Sequence, residues 1–251
     1  DVILAMRKED HAEEAKKVVD NVLLVPNIPL TRMGQIKIAM MFAFSENLIL
    51  PNDRVVCLSG VPAGGSGAGI LDTLVVIEVG KEFEMITSPN IADFSKTVNR
   101  KVFEAIIYIA IEIANEGREG KPVGTTFVLG DSKRVLKHTQ QMILNPFRGY
   151  PERDRNILNG DITETIKEFA QIDGAFVIRN DGVIECAGTF LKADLVPEKL
   201  PQGWGARHYS AAAITLATKA LAVTISQSTG DVRIFKGGIP IMEIEKPLRQ
   251  S

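Results

Sequence analysis

The chain has 251 residues, 45% of them apolar, with a formal net charge of −2 and a pI near 6.0. That length admits one large domain or two modest ones, and the apolar share is enough to bury a proper core. So balanced a charge gives no overall electrostatic grip on nucleic acid.

The longest apolar run lies near Ala105–Ala114 and is interrupted by Glu112. It falls short of the ~20 apolar residues that a membrane span needs. The first residues show no signal-peptide pattern. A cytoplasmic protein with no membrane partner is the expectation. Cys57 and Cys186 lack metal-ligand spacing and sit in apolar, strand-like runs. Buried free thiols are expected there, as in a reducing compartment.

Val2–Ala5 predicts a strand, and Glu9–Val19 a helix with Ala12, Ala15, Val18 and Val19 at helical spacing. Val22–Val25 predicts a second strand, closed by Pro26 and Pro29. Thr31 can cap a helix that runs to about Glu46 on an apolar stripe of Ile36, Met40, Met41 and Phe44. Val55–Leu58 and Leu74–Val79 predict two more strands, separated by the glycine-rich loop Gly60–Gly69. Alternating strands and helices with short links predict a small α/β layer with mainly parallel pairing.

The glycine loop is either a structural turn or a phosphate cradle of backbone N–H groups. No Gly-Lys-[Ser/Thr] follows it, so it is not a P-loop. A dinucleotide fingerprint would need other spacing and a following helix. The stretch Asp53–Val79, with its strand, Gly-Val-Pro loop and second strand, resembles the C-terminal domain of pyruvate kinases over about residues 1–80. The resemblance carries no catalysis, because that enzyme's active site lies in another domain.

Thr87–Asn90 reads as a boundary between a first domain, 1–88, and a second, 91–251. Ile91–Asn115 predicts a long helix, apolar on several faces, ended by Gly117 and Gly120. Val123–Leu129 predicts a strand. Gly130-Asp131-Ser132 caps a short basic helix ending near His138. Arg148, Arg153 and Arg155 belong either to a solvated loop or to an anionic pocket. A helix starting at Asp161 or Thr163 ends at Asp173. Ala175–Ile178 and Val183–Phe190 form a hairpin around Asn180-Asp181-Gly182. Arg207–Leu221 predicts a helix, Ala222–Ser226 a strand, and Val232–Phe235 the last strand.

Two clusters carry chemistry. Asp173-Gly174-Ala175 stands where a helix gives way to a strand, and Gly205-Ala206-Arg207-His208-Tyr209-Ser210-Ala211 where a loop enters a helix. A carboxylate can hold a metal ion, a glycine admits a ligand close to the backbone, and an arginine beside a helix N-terminus can take phosphate oxygens. Taken singly, Asp173 could merely end a helix, and Arg207 and His208 could be surface residues of a first turn.

Together the clusters resemble the signature of the diadenylate cyclases, over about residues 91–251. The two resemblances together imply a two-domain α/β protein: a small pyruvate kinase C-terminal-like domain, then a mixed-sheet α/β cyclase domain. It implies condensation of two ATP into cyclic di-AMP and two pyrophosphates, with Mn²⁺ or Mg²⁺, between two domains of a homodimer or larger homo-oligomer. By resemblance Asp173 is catalytic and binds the metal, while Arg207 and His208 handle phosphate. Gly174, Ala175, Gly205 and Ser210 line the ATP, Phe190 and Leu191 pack on adenine, and Ser226 lies near the triphosphate. Ala206 and Tyr209 depart from the threonine and second arginine of many members. Ile172 and Ser228 depart from the histidine and glutamate of the membrane-bound members. The alternative is an inactive sensor of ATP or cyclic di-AMP with the same fold; another is a nucleotidyl or phosphotransfer enzyme with a different acceptor.

Overall fold

The computed structural model describes residues 1–25, 31–61, 70–81, 97–192, 200 and 203–244. The chain divides into two compact units, Asp1–Ser95 and Lys96–Ser251.

In the first unit β1 (Ile3–Met6) and β2 (Asn21–Leu24) pair in parallel, with α1 (Glu9–Ala15) between them in sequence. Helix α2 (Arg32–Ser45) starts as its sequence predicts: the Thr31 hydroxyl accepts from the Gly34 N–H at 3.1 Å. Strands β3 (Arg54–Val61) and β4 (Ile70–Glu78) pair antiparallel. This corrects the expectation of mainly parallel pairing. Residues 62–69 are too few for the crossover of about a dozen residues that parallel neighbours need. Those residues, which carry most of the glycine loop, lie outside the described ones, as do 82–96 with the expected domain boundary.

The second unit is built on a seven-stranded mixed sheet. Its strands are β5 (Thr126–Leu129), β6 (Thr139–Gln141), β7 (Ala175–Ile178), β8 (Ile184–Leu191), β9 (Leu221–Ile225), β10 (Val232–Lys236) and β11 (Ile239–Ile244), in the order β11-β10-β9-β5-β7-β8-β6. Only β5 and β7 are parallel; the other pairs are antiparallel. Helix α3 (Arg100–Glu116) begins at Asn99, whose side chain accepts from the Lys101 and Val102 N–H groups. Thr97 is also helical, so the expected helix Ile91–Asn115 is interrupted at Val98-Asn99, and its first residues, 91–96, lie outside the described ones. Helices α4 (Ser132–Val135) and α5 (Thr163–Phe169) are short, and α5 ends one turn before Asp173. Among the described residues, helix α6 (Ala206–Ala217) is the longest after α2 and α3.

Strand periodicity accounts for the two buried faces. Val128, Val177, Ala222 and Phe235 pack with Ala211, Ala212 and Ile214 of α6. The alternate residues Phe127, Phe176, Val223 and Ile234 turn to the other face and are fully or almost fully buried. Helix α3 contacts β9 and β10. Two strands escape the sequence reading. The three-residue β6 carries no apolar alternation. Strand β11 contains Pro240, which is tolerated because β11 is an edge. Gly237-Gly238, both at positive φ, turn β10 into β11.

Lys167 on α5 is 7% exposed and pairs with Glu112 and Glu116 of α3 at 3.1 Å and with Glu164 at 3.2 Å. Removing Lys167 leaves the largely covered Glu112 without its cation, while the exposed Glu116 and Glu164 stay solvated. Lys167→Ala is expected to lower stability by about 2–3 kcal/mol, read as an earlier midpoint in chemical denaturation.

Candidate nucleotide site

Antiparallel pairing carries the two sequence clusters to one end of the sheet. Strand β9 runs against β5, so its C-terminal end, with Ser226 beyond it, lies beside the start of β5 and hence of the parallel β7. Strand β8 runs against β7, which brings Phe190 and Leu191 to the same end. Strand β10 runs against β9 and starts there too. The N-terminus of α6 completes the wall. A cleft of about 1100 Å³ is lined by all ten candidate residues: Asp173, Gly174, Ala175, Phe190, Leu191, Gly205, Arg207, His208, Ser210 and Ser226. Arg148, Arg153 and Arg155 are not among its lining residues. Arg155 instead donates to the Tyr150 and Ile184 carbonyls, holding the loop to β8.

At the cleft wall Arg207 Nη2 donates to Asp173 Oδ1 at 2.7 Å, and Nη1 to Gln227 Oε1 at 3.4 Å. The Asp173 side chain is 79% exposed, so this pair contributes little to the fold. Gly205 is the N-cap of α6 and offers no side-chain acceptor to the first N–H groups. A helix start without such an acceptor suits an anion. Ser210 does not present a free hydroxyl proton, because its Oγ donates to the Arg207 carbonyl at 3.0 Å. Ser226 Oγ lies 3.2 Å from Ser228 Oγ and accepts from the Thr229 N–H at 3.4 Å. Phe190 is exposed, whereas Leu191, the next residue along the strand, is buried.

His208 differs most from a simple surface residue. It is 6% exposed and packed at a tilt against Trp204 and Phe235, with ring centroids at 5.2 and 6.2 Å. Burial, reinforced by the Arg233 and Arg207 cations, pulls its pKa down to about 4. The imidazole is therefore neutral near pH 7. The unfolded chain takes up this proton near pH 6.5 and the folded chain only near 4, so this group removes stability as pH falls through that window. A His208→Phe variant is expected to lose less thermal stability than the parent between pH 6.5 and 4, measured as the difference in melting temperature across that range.

Arg233 and Trp204 were not singled out by the sequence, yet both line the cleft. The available signal was an arginine inside the otherwise apolar run Val232–Phe235, which demands a partner when buried. Met142 and Gln227 are further lining residues from segments that carry no motif.

Residues 112–239 match the family model described as "DisA bacterial checkpoint controller nucleotide-binding". A diadenylate cyclase of Haloferax volcanii is 31% identical over 249 residues, covering 98% of this chain and 86% of that protein. The chain belongs to the diadenylate cyclase family. The diadenylate cyclase of Methanocaldococcus jannaschii is 38% identical over 205 residues, covering 81% of this chain and 63% of that protein. Residues 1–87 match a second model, described as "Probable sensor domain DacZ_P". That match, not one to pyruvate kinase, is what the first unit of this cyclase-family chain shows.

Among solved structures, a hypothetical membrane-spanning protein from Bacillus cereus is 15% identical with a TM-score of 0.45, covering 62% of this chain and 68% of that one. A double-cysteine variant of DacA from Staphylococcus aureus is 18% identical with a TM-score of 0.39, covering 58% and 86%. No helix among the described residues is long and apolar enough to cross a membrane. Cys57 and Cys186 are free, and burial pushes the Cys186 thiol up to about 11.

Proposed function

We propose that this cleft binds ATP and that two such clefts, facing each other in a homodimer, join two ATP molecules into cyclic di-AMP. Each 3′-hydroxyl oxygen forms a bond to the α-phosphorus of the opposite nucleotide. The α–β phosphoanhydride bond breaks, and pyrophosphate leaves with its electron pair. The observation that carries this reading is the convergence of Asp173, Arg207, His208 and an uncapped helix start on one cleft, in a chain of this family.

Asp173 is the candidate acid for metal binding and for drawing the proton from the 3′-hydroxyl. An exposed lone carboxylate fits a divalent ion that takes its other ligands from triphosphate oxygens and water. Among the described residues no group of three or more His, Cys, Asp or Glu could form an all-protein cage. Bound there, Mn²⁺ or Mg²⁺ would offset charge on the α-phosphate and leaving group. Arg207 is placed to hand its guanidinium from Asp173 to a phosphate oxygen, and the first N–H groups of α6 to hold the triphosphate in line.

The first domain, taken as residues 1–88 within the first unit, is read as a cytoplasmic sensor module. Its likeness to a pyruvate kinase C-terminal domain rests on the strand, glycine loop and strand of Asp53–Val79. The cyclase unit is read as 91–251.

The test is incubation of the purified chain with ATP and Mn²⁺ or Mg²⁺, analysed by chromatography and mass spectrometry. Cyclic di-AMP and pyrophosphate in a 1:2 ratio are expected. ATP binding with no product under either metal would favour a sensor, for which Ala206 and Tyr209 at the cleft wall would be the first residues to exchange.

A further inference from the structure

Arg233 sits behind His208, on the strand that faces the start of α6. Its Nη1 lies 3.1 Å from His208 Nε2. A guanidinium has only donors, so this hydrogen bond has one possible direction: Arg233 gives the proton and Nε2 accepts. The neutral ring must then carry its own hydrogen on Nδ1. That Nδ1 is buried and has no protein partner. His208 lines the cleft, and a buried donor without an acceptor is a cost that a ligand oxygen reaching it would relieve.

The guanidinium is itself held on three sides. Its Nη2 donates to Asp231 at 3.2 Å and to Glu243 of β11. Its Cζ lies 4.9 Å from the centroid of the Trp204 ring, a cation–π contact. Trp204 in turn packs on His208 and edge-on against Phe235. The charged groups facing the imidazole are thus Arg233 from β10, Arg207 from α6 and Asp231 from the turn, with Glu243 reached through Arg233. Two carboxylates hold the Nη2 of Arg233, while its buried Nε has no protein partner.

We propose that Arg233 is a positioning residue that fixes His208 as the Nδ1–H tautomer, so that the imidazole meets a nucleotide phosphate as a neutral hydrogen-bond donor. The identity of the phosphate rests on the cyclase reading; the tautomer does not. The arrangement also explains how two cationic residue types can stand side by side at positions 207 and 208 without repulsion: one of them carries no charge.

The test is nitrogen NMR of the full chain with ¹⁵N-labelled histidine, the His208 signals being assigned by their loss in His208→Gln. The parent should show a protonated Nδ1 and a bare Nε2 from pH 5.5 to 8, and Nδ1 should shift when ATP is added. In Arg233→Met the ring should become a mixture of tautomers and its pKa should rise, because a neighbouring cation is gone. Turnover should fall roughly 10–100-fold with little change in KM, and the acid limb of its pH profile should move upward with the ring. Arg233→Lys, which keeps a cationic donor, should recover part of the loss.

An Nε2–H ring in the parent would overturn the proposal, whether or not any variant folds. So would an Arg233→Met protein that loses turnover while the His208 tautomer and the pH profile stay unchanged. An Nδ1–H ring in a parent that makes no cyclic di-AMP would instead sink the cyclase reading and leave the positioning role standing.

Discussion

Replacing Asp173 by Asn should reduce cyclic di-AMP formation by about 10³-fold or more while the melting temperature stays within a degree or two. The substitution keeps the size and one carbonyl oxygen but removes the charge that would hold a divalent ion and draw the 3′-hydroxyl proton. The fold should not notice, because the side chain is mostly exposed and its ion pair with Arg207 lies at the surface. Nucleotide binding supplies the sharper check. In the parent the Arg207 guanidinium is paired with Asp173 at 2.7 Å. A triphosphate has to compete with that carboxylate for the cation. In Asp173→Asn the competition weakens, so metal-free ATP should bind at least as well as to the parent, measured by calorimetry. Loss of both binding and turnover would mean that Asp173 organises the pocket rather than the chemistry. Undiminished turnover would remove it from the reaction altogether.

What could be read from the sequence follows from how locally each feature is determined. The strand Ala175–Ile178, the turn at Gly182 and the Thr31 cap depend on near neighbours in the chain, and each lies where its residues indicate. The candidate residues Asp173, Arg207 and His208 stood out because each sits in a contiguous cluster of unusual composition. Arg233 did not, because its role arises from what antiparallel pairing sets beside it: Glu243 across β10 and β11, and His208 on the helix above. The neutrality of His208 was equally hidden, since it comes from Trp204, Phe235 and Arg233 closing over the ring. The antiparallel pairing of β3 and β4 was legible in principle from the shortness of 62–69, but the alternation of helices and strands before it pointed to parallel pairing. The break before α3 turned on a single Asn99 cap inside a stretch that otherwise reads as helical.

Gly174→Ala should destabilise the second unit by about 2–4 kcal/mol and abolish nucleotide binding with it. Two independent constraints meet at this residue. Its φ is +118°, where a side chain is strained, and an added Cβ would fall 2.6 Å from the Thr189 nitrogen and 2.7 Å from the Gly188 carbonyl carbon. Both neighbours are backbone atoms of β8, so no rotamer can relieve the contact. Relief requires β8 to move away from β7 where Ala175 pairs with Thr189, one residue before Phe190 and two before Leu191. The same movement would shift Asp173, which directly precedes the glycine. Stability and site are therefore coupled through one hydrogen atom. For a unit of this size the loss corresponds to a melting temperature lower by roughly 5–15 °C. Gly149→Ala separates the two constraints: Gly149 also has positive φ, at +90°, but an added Cβ there meets nothing within 4 Å. It should cost about 1–2 kcal/mol and leave ATP binding unchanged. Equal losses from the two substitutions would show that backbone strain alone sets the cost, and that the close approach of β7 and β8 at Gly174 is not what shapes the cleft.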